Sequence, residues 1–236
     1  MATLRDHFLP SLRHSTTWLR DNRSLAGALA QDFGLLQASA QGALILLAAL
    51  TSAADIGLLR KAQLWLGPVS MVTTGLLSAF QSMLVRRHDL TRPRASAKTA
   101  VVIGTITATG ALVYGGVVFL LPTTWAAALA GDGWANARSF VWPLTVQLAV
   151  GLLGGCVGIA LRVRGQVAQQ VRARWVLAPA SLILVALTAS AGGALAAAWG
   201  LAAVSGVTAG LWCHLLSRPT STVVRSADPI GAPRGL

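Results

Sequence analysis

The chain contains no glutamate. Its seven acidic residues are all aspartates, set against nineteen Lys+Arg, and only 11% of its 236 residues are charged while 54% are hydrophobic. A soluble domain carries roughly 25% charged residues, so a chain this poor in charge, with a mean hydropathy of +0.64, does not expose most of its surface to water. Cysteine is scarce too: Cys156 and Cys213 both lie in apolar stretches and read as small buried hydrophobes, not as a disulfide or a metal pair. The first 30 residues hold no continuous apolar core, so no secretory signal peptide is expected.

The signatures of enzymes are missing as well. There is no HExxH, no GxSxG and no P-loop, and no two acids stand one helical turn apart inside an apolar run. His7, His14, His88 and His214 show no metal-ligand spacing. The segment Asp132 to Arg138 resembles the opening of the lipid-alcohol phosphotransferase signature, but it is one residue too long and lacks downstream aspartates to hold a metal. Catalytic residues, metals and cofactors are therefore not expected, and the chain reads as a non-enzyme.

What the sequence does have is six apolar runs, at about 33–54, 62–85, 99–121, 140–161, 175–191 and 194–216. A helix needs about 20 apolar residues to cross roughly 30 Å of hydrocarbon. The fifth run is short and joins the sixth through Gly192-Gly193. The predicted fold is an all-α integral membrane bundle of six transmembrane helices. Residues 1–32, which mix Arg, Asp, Leu, Phe8 and Trp18, suit an amphipathic segment on the cytoplasmic membrane surface. Residues 33–217 form the transmembrane domain, and 218–236, with three prolines, read as a disordered cytoplasmic tail.

Charge placement sets the orientation. Arg5, Arg13, Arg20 and Arg23 precede the first run; Arg86, Arg87, Arg92, Arg94 and Lys98 follow the second. Arg162, Arg164, Arg172 and Arg174 follow the fourth, and Arg218, Arg225 and Arg234 follow the sixth. Those sixteen cations share one side, and only Arg60, Lys61 and Arg138 fall on the other. The positive-inside rule then puts both termini in the cytoplasm, and the expected location is the plasma (inner) membrane. The same placement, in short loops between apolar runs, argues against nucleic-acid binding. Trp65, Trp125, Trp134 and Trp142 lie near the outer ends and Trp18, Trp175 and Trp212 near the inner ends, as indoles at headgroup level do.

Polar groups within the runs are the remaining functional handles. Gln37 and Gln41 stand one turn apart in the first run, Gln63 and Gln81 flank the second, and Gln147 lies in the fourth. Such amides line a wet cavity or hydrogen-bond neighbouring helices. Asp55, Arg60 and Lys61 form a charged cluster in the first outer loop. The candidate substrate-path residues are Gln37, Gln41, Gln63, Gln147, Asp55 and Arg60. The pairs Gly151–Gly155, Gly154–Gly158 and Gly206–Gly210 have the spacing that lets backbones approach closely in lipid.

One stretch carries a family resemblance. Gly57, Arg60, Ala62, Gln63, Gly67 and Pro68 match a G-x-x-R-x-A-Q-x-x-x-G-P pattern, and Arg162-Val-Arg-Gly165-Gln follows the fourth run. The chain resembles the C-terminal half of the bacterial polysaccharide flippases in the MATE-like multidrug/oligosaccharidyl-lipid/polysaccharide exporter superfamily, over about residues 15–216. The resemblance implies a six-helix lobe that faces a second lobe across a cavity open alternately to each side. It implies a lipid-linked oligosaccharide as substrate and no ATP hydrolysis. Family members carry at least twelve helices, so the expected partner is a second half-transporter or a second copy of the chain, besides the lipid bilayer. The alternative expectations are a non-transporting scaffold subunit of a cell-envelope synthesis complex, or the remnant of a full-length flippase.

Overall fold

The computed structural model describes residue 20 and residues 23–86, 93–131 and 133–218. Most of the amphipathic N-terminal segment and nearly all of the tail therefore lie outside the described residues. Asp132, three of the four histidines and the cations between 87 and 92 lie outside them too.

Among the described residues helix is the only regular secondary structure, joined by short turns and loops. The elements are α1 (Arg23–Leu50), α2 (Ala53–Arg86), α3 (Pro93–Leu120), α4 (Thr123–Ala130), α5 (Trp134–Val163) and α6 (Val167–Ser217). Four of them, α1, α3, α5 and α6, are long and apolar enough to cross a membrane, and the protein is membrane-embedded. Packing explains why water is an unsuitable solvent. In the most apolar stretch of α1 only 11% of residues are buried inside the protein. Ile45, Leu64, Met71, Ile106, Val113 and Leu187 are each at least half exposed, a spread of bare apolar side chains that soluble monomers rarely tolerate.

α6 has 51 residues and would be about 75 Å long if straight, at 1.5 Å per residue. It is not straight. Gly192 and Gly193 leave helical geometry, and Gly193 takes φ 68 and ψ −160, a conformation open to glycine alone. The arms 167–191 and 194–217 fold back on each other so closely that a Cβ on Gly200 would come within 2.6 Å of Thr188 Oγ1. The Gly192-Gly193 junction expected from the sequence is thus a real helix break.

The contacts fix the arrangement. α5 is the central rod, with 61% of its apolar stretch buried, and α2, α3 and α6 surround it. α3 lies antiparallel on α5, with Gly104 against Leu153 and Cys156, and Gly115 against Thr145. α2 runs parallel to α5 and meets it at Leu77 beside Gly155. The arm 194–217 also runs parallel to α5, with Ala209 on Gly154. α1 packs on the arm 167–191, where Gly42 meets Leu182, and hardly touches α2 beyond their shared turn. Chain direction therefore alternates along α1, α2, α3, α5 and the two arms of α6. One end of the bundle carries the Thr51–Ser52 turn, α4 and the Gly192-Gly193 break. The other carries the loop at Arg164 to Gln166 and is rich in arginine.

α2 starts earlier than its apolar run. Ser52 Oγ accepts the Asp55 backbone N–H at 3.1 Å and donates to Asp55 Oδ2 at 2.9 Å. Ser52 thus caps one free backbone N–H of the first turn, and the Asp55 carboxylate it holds sits at the positive helix end. Asp55, Arg60 and Lys61, read from sequence as an outer loop, accordingly stand on the first turns of α2. α1 likewise continues without a break through residue 32, where the membrane-surface segment was expected to end.

Candidate functional site

The ridge of α2 that packs inward is Leu59, Ala62, Leu66, Thr73, Phe80 and Leu84. Along one flank of that ridge run Arg60, Gln63, Gly67, Ser70, Thr74, Ser78 and Gln81, at helical spacings of three and four. None of these is buried. The opposite flank turns to α3: the Tyr114 hydroxyl donates to the Trp65 carbonyl at 2.9 Å, and Val69 packs against the cluster of Ala111, Ala149 and Leu152. The polar flank therefore looks away from α3, toward the side where α2 and α6 scarcely meet.

The floor of that opening is α5. Gln147 and Gly151 lie between the edge of α5 that meets α2, at Gly155, and the edge that meets α6, at Gly154 and Gly158. Gln147 is half-buried and Gly151 exposed, with nothing near it. Of the glycine pairs, Gly154, Gly155 and Gly158 thus serve close packing, whereas Gly206 and Gly210 have open space beside them.

The chemistry of the polar flank is specific. Ser70, Thr74, Ser78 and Ser82 donate their hydroxyl protons to carbonyls of α2 itself, at 2.7–3.0 Å. Each proton is spent locally, so what the hydroxyls have left is acceptor capacity. The amides of Gln63, Gln81 and Gln147 both donate and accept. Arg60 Nη1 approaches Gln63 Oε1 at 3.4 Å. Arg60 and Gln63 are thus brought together, with Gln147 on the floor below. Gln37 and Gln41 occupy the exposed face of α1, and no contact joins them to the other candidates.

Asp55 goes elsewhere. It lines a cleft of about 390 Å³ at the helix-break end, with Asn136, Ser139 and Phe140 of α5 and the Gly192-Gly193 break. Beside it Trp65 and Trp134 meet at a tilt of 51° with ring centroids 5.2 Å apart, and the Arg138 guanidinium sits 4.4 Å over the Phe119 ring.

The sequence did not reveal the cluster at the arginine-rich end. Asp32 is 1% exposed. Its Oδ2 lies 2.5 Å from Arg162 Nη2 and its Oδ1 2.6 Å from Arg174 Nε, which ties α1 to the end of α5 and the start of α6. The second contact is close but poorly aligned for hydrogen bonding, since neither atom has a partner of good geometry; it is an ion pair by proximity. Arg174 also lies 5.9 Å from the Trp212 ring centroid. Gln170 Nε2 donates to the Gly158 carbonyl at 3.0 Å, and Arg164 Nη1 donates to the Leu216 carbonyl at 2.9 Å. Partial burial lowers the Arg164 pKa from its ordinary value. The signal for the cluster was there: Asp32 is the lone charged residue in an otherwise uncharged stretch of helix between Ala26 and Leu50, and such an acid requires a cation.

Among the described residues no group of three or more His, Cys, Asp or Glu is placed to hold a metal ion. Comparison with protein-family models, with curated proteins and with solved structures finds no match to this chain.

Proposed function

We propose that the chain is one six-span lobe of a transporter for polysaccharide or lipid-linked saccharide, of the MATE-like exporter type, working by alternating access. Both termini are cytoplasmic in this reading, and the arginine-rich end faces the cytoplasm of a plasma membrane. The two arms of α6 count as separate spans, since each is long enough to cross and they run in opposite directions. α2, though less apolar than the others, crosses beside them.

The observation that carries the reading is the polar flank of α2 beside Gln147. A row of hydroxyl and amide groups at membrane depth is costly against lipid and natural along a wet cavity. Hydroxyl acceptors next to amides that also donate suit a ligand dense in O–H groups, which a saccharide is. Gln63, Gln147 and Arg60 would contact it, with Asp55 at the outer mouth, while Gln37 and Gln41, on the outer face of α1, would lie outside the groove. Spans that alternate and end on the side where they began let a second copy or a homologous half pair about an axis along the membrane normal. Such pairing encloses the groove.

The test is the pool of lipid-linked saccharide intermediates in a deletion strain, measured by mass spectrometry with leaflet accessibility scored. Accumulation in the inner leaflet, reversed by the intact gene but not by one with Gln63 and Gln147 changed to Leu, is the expected result. An unchanged pool overturns the transporter. A second reading, a non-transporting scaffold, draws on the in-helix bonding of Ser70, Thr74 and Ser78, which lets that flank also pack dry against a partner helix. Under it, loss of activity would follow loss of the partner and not of the glutamines.

A further inference from the structure

The Asp32 cluster is out of balance. Two guanidiniums share one carboxylate, and Asp32 and Asp55 are the only acids among the described residues, with Asp55 at the opposite end of the bundle. The residues around the cluster add positive charge: Arg172 is exposed, and Arg164 and Arg218 stand at the same end. Asp32 is fully buried, whereas the Arg162 side chain is 36% exposed. A guanidinium has five N–H donors. Arg162 gives one of its Nη groups to Asp32, and its Nε–H is buried without an acceptor. The acid thus fixes the two arginines in place without using up their charge or their donors.

We propose that Arg162 and Arg174, positioned by Asp32 where α1, α5 and α6 meet, form a binding site for an anionic phosphate group. Arginine suits this ligand because its planar fork matches two phosphate oxygens at once. The site's depth fits as well. Arg162 is in the last turn of α5 and Arg174 in the second turn of α6, the level at which phospholipid headgroups lie. Trp175, an exposed aromatic residue of the same end, is placed as headgroup-level anchors are. The ligand is a phosphodiester headgroup of an anionic lipid or a free phosphate ion. Neither the groove of α2 nor the transporter reading enters this argument.

The experiment uses the full chain, purified in detergent and reconstituted in nanodiscs. Lipid retained by the protein is quantified by native mass spectrometry with equal phosphatidylglycerol and phosphatidylcholine supplied, and thermal stability is followed with each lipid and with inorganic phosphate. The wild type should retain phosphatidylglycerol over phosphatidylcholine by roughly tenfold, the size expected of charge-assisted contacts. Arg162→Gln, at the half-exposed position, should remove most of that preference, and Arg138→Gln at the other end should leave it intact. A stability shift with inorganic phosphate that Arg162→Gln removes would assign the site to the free ion. Equal retention of the two lipids without a phosphate effect overturns the proposal. So does a preference that survives in Arg162→Gln, or one lost equally in Arg138→Gln. If Arg162→Gln does not fold, Arg162→Lys keeps the charge but not the fork and should weaken the preference only in part.

Discussion

Asp32 Oδ2 and Arg162 Nη2 lie 2.5 Å apart although 130 residues separate them in the chain, and this contact joins α1 to the central helix. α1 has few other holds on α5, since its packing is on the first arm of α6. Removing the acid leaves two arginines facing each other without a counter-charge. Breaking a fully buried pair costs about 3–5 kcal/mol; Arg162 is partly exposed, so solvent screens part of that loss. Asp32→Asn should therefore destabilise by about 2 kcal/mol, more than Arg162→Gln, which leaves Arg174 beside the carboxylate. Thermal unfolding in detergent, read by intrinsic tryptophan fluorescence, measures both. Equal or negligible shifts would mean the cluster does not hold α1.

The α3–α5 seam depends on a missing methyl group. A Cβ on Gly115 would overlap the Thr145 side chain, which is fully buried and donates to the Val141 carbonyl at 2.7 Å. Thr145 has no room to yield. Gly115→Ala should cost about 1–3 kcal/mol through overpacking. Gly116→Ala, where nothing lies within 4 Å, should be neutral or slightly stabilising, because helical Gly→Ala gains backbone entropy. The pair of melting temperatures checks the seam directly. A Gly115→Ala protein as stable as the Gly116→Ala protein would contradict it.

These contacts show what was legible in the sequence. Apolar length located α1, α2, α3, α5 and both arms of α6, because each rod must bury or bathe some twenty apolar positions, but it placed the starts of α1, α2 and the first arm of α6 eight to ten residues late. Gly192-Gly193 was legible as a junction because only glycine adopts the observed φ. The early start of α2 lies outside its apolar run, because Ser52 and Asp55, which cap it, are polar and hydropathy alone does not mark them. α4 was missed for a similar reason: eight residues of Thr, Trp, Ala and Leu after Pro122 are too few for a span and look like loop. The polar flank of α2 was half legible, as Arg60, Gln63 and Gln81, while the serines and threonines that complete it look inert until placed on a helix. Asp32 was assigned to a surface segment, and its partners were counted only as cations that set topology. Pairings across 130 residues leave no local pattern, so one chain does not disclose them.

The Gly192-Gly193 break admits its own test. Gly193 has φ 68 and ψ −160, where any Cβ is strained by about 1–3 kcal/mol. Gly193→Ala should destabilise by that amount though no neighbouring atom lies within 4 Å of the added methyl, so the cost is conformational and not steric. Gly210→Ala, also in open space but in regular helix, is the control and should not lower the melting temperature. Equal behaviour would mean that α6 does not turn at this point in the membrane.

The groove makes the sharpest demand. Thr74 and Ser78 lie on the flank of α2 turned away from α3, and Val72 and Leu76 on an exposed apolar flank. If the polar flank lines a wet cavity, single cysteines at Thr74 and Ser78 react with a water-soluble, membrane-impermeant maleimide. Those at Val72 and Leu76, facing hydrocarbon, do not, because thiolate formation needs water. Cys156 is buried and Cys213 partly so, and both should be changed to Ala first to clear the background. The expected contrast is roughly tenfold or more in labelling rate, since thiolate formation is suppressed in hydrocarbon. A saccharide that fills the groove should slow the reaction at Thr74 and Ser78 alone. Equal labelling of all four positions would describe a helix loosely held in detergent. Labelling at none would describe a flank sealed against another helix, as the scaffold reading requires.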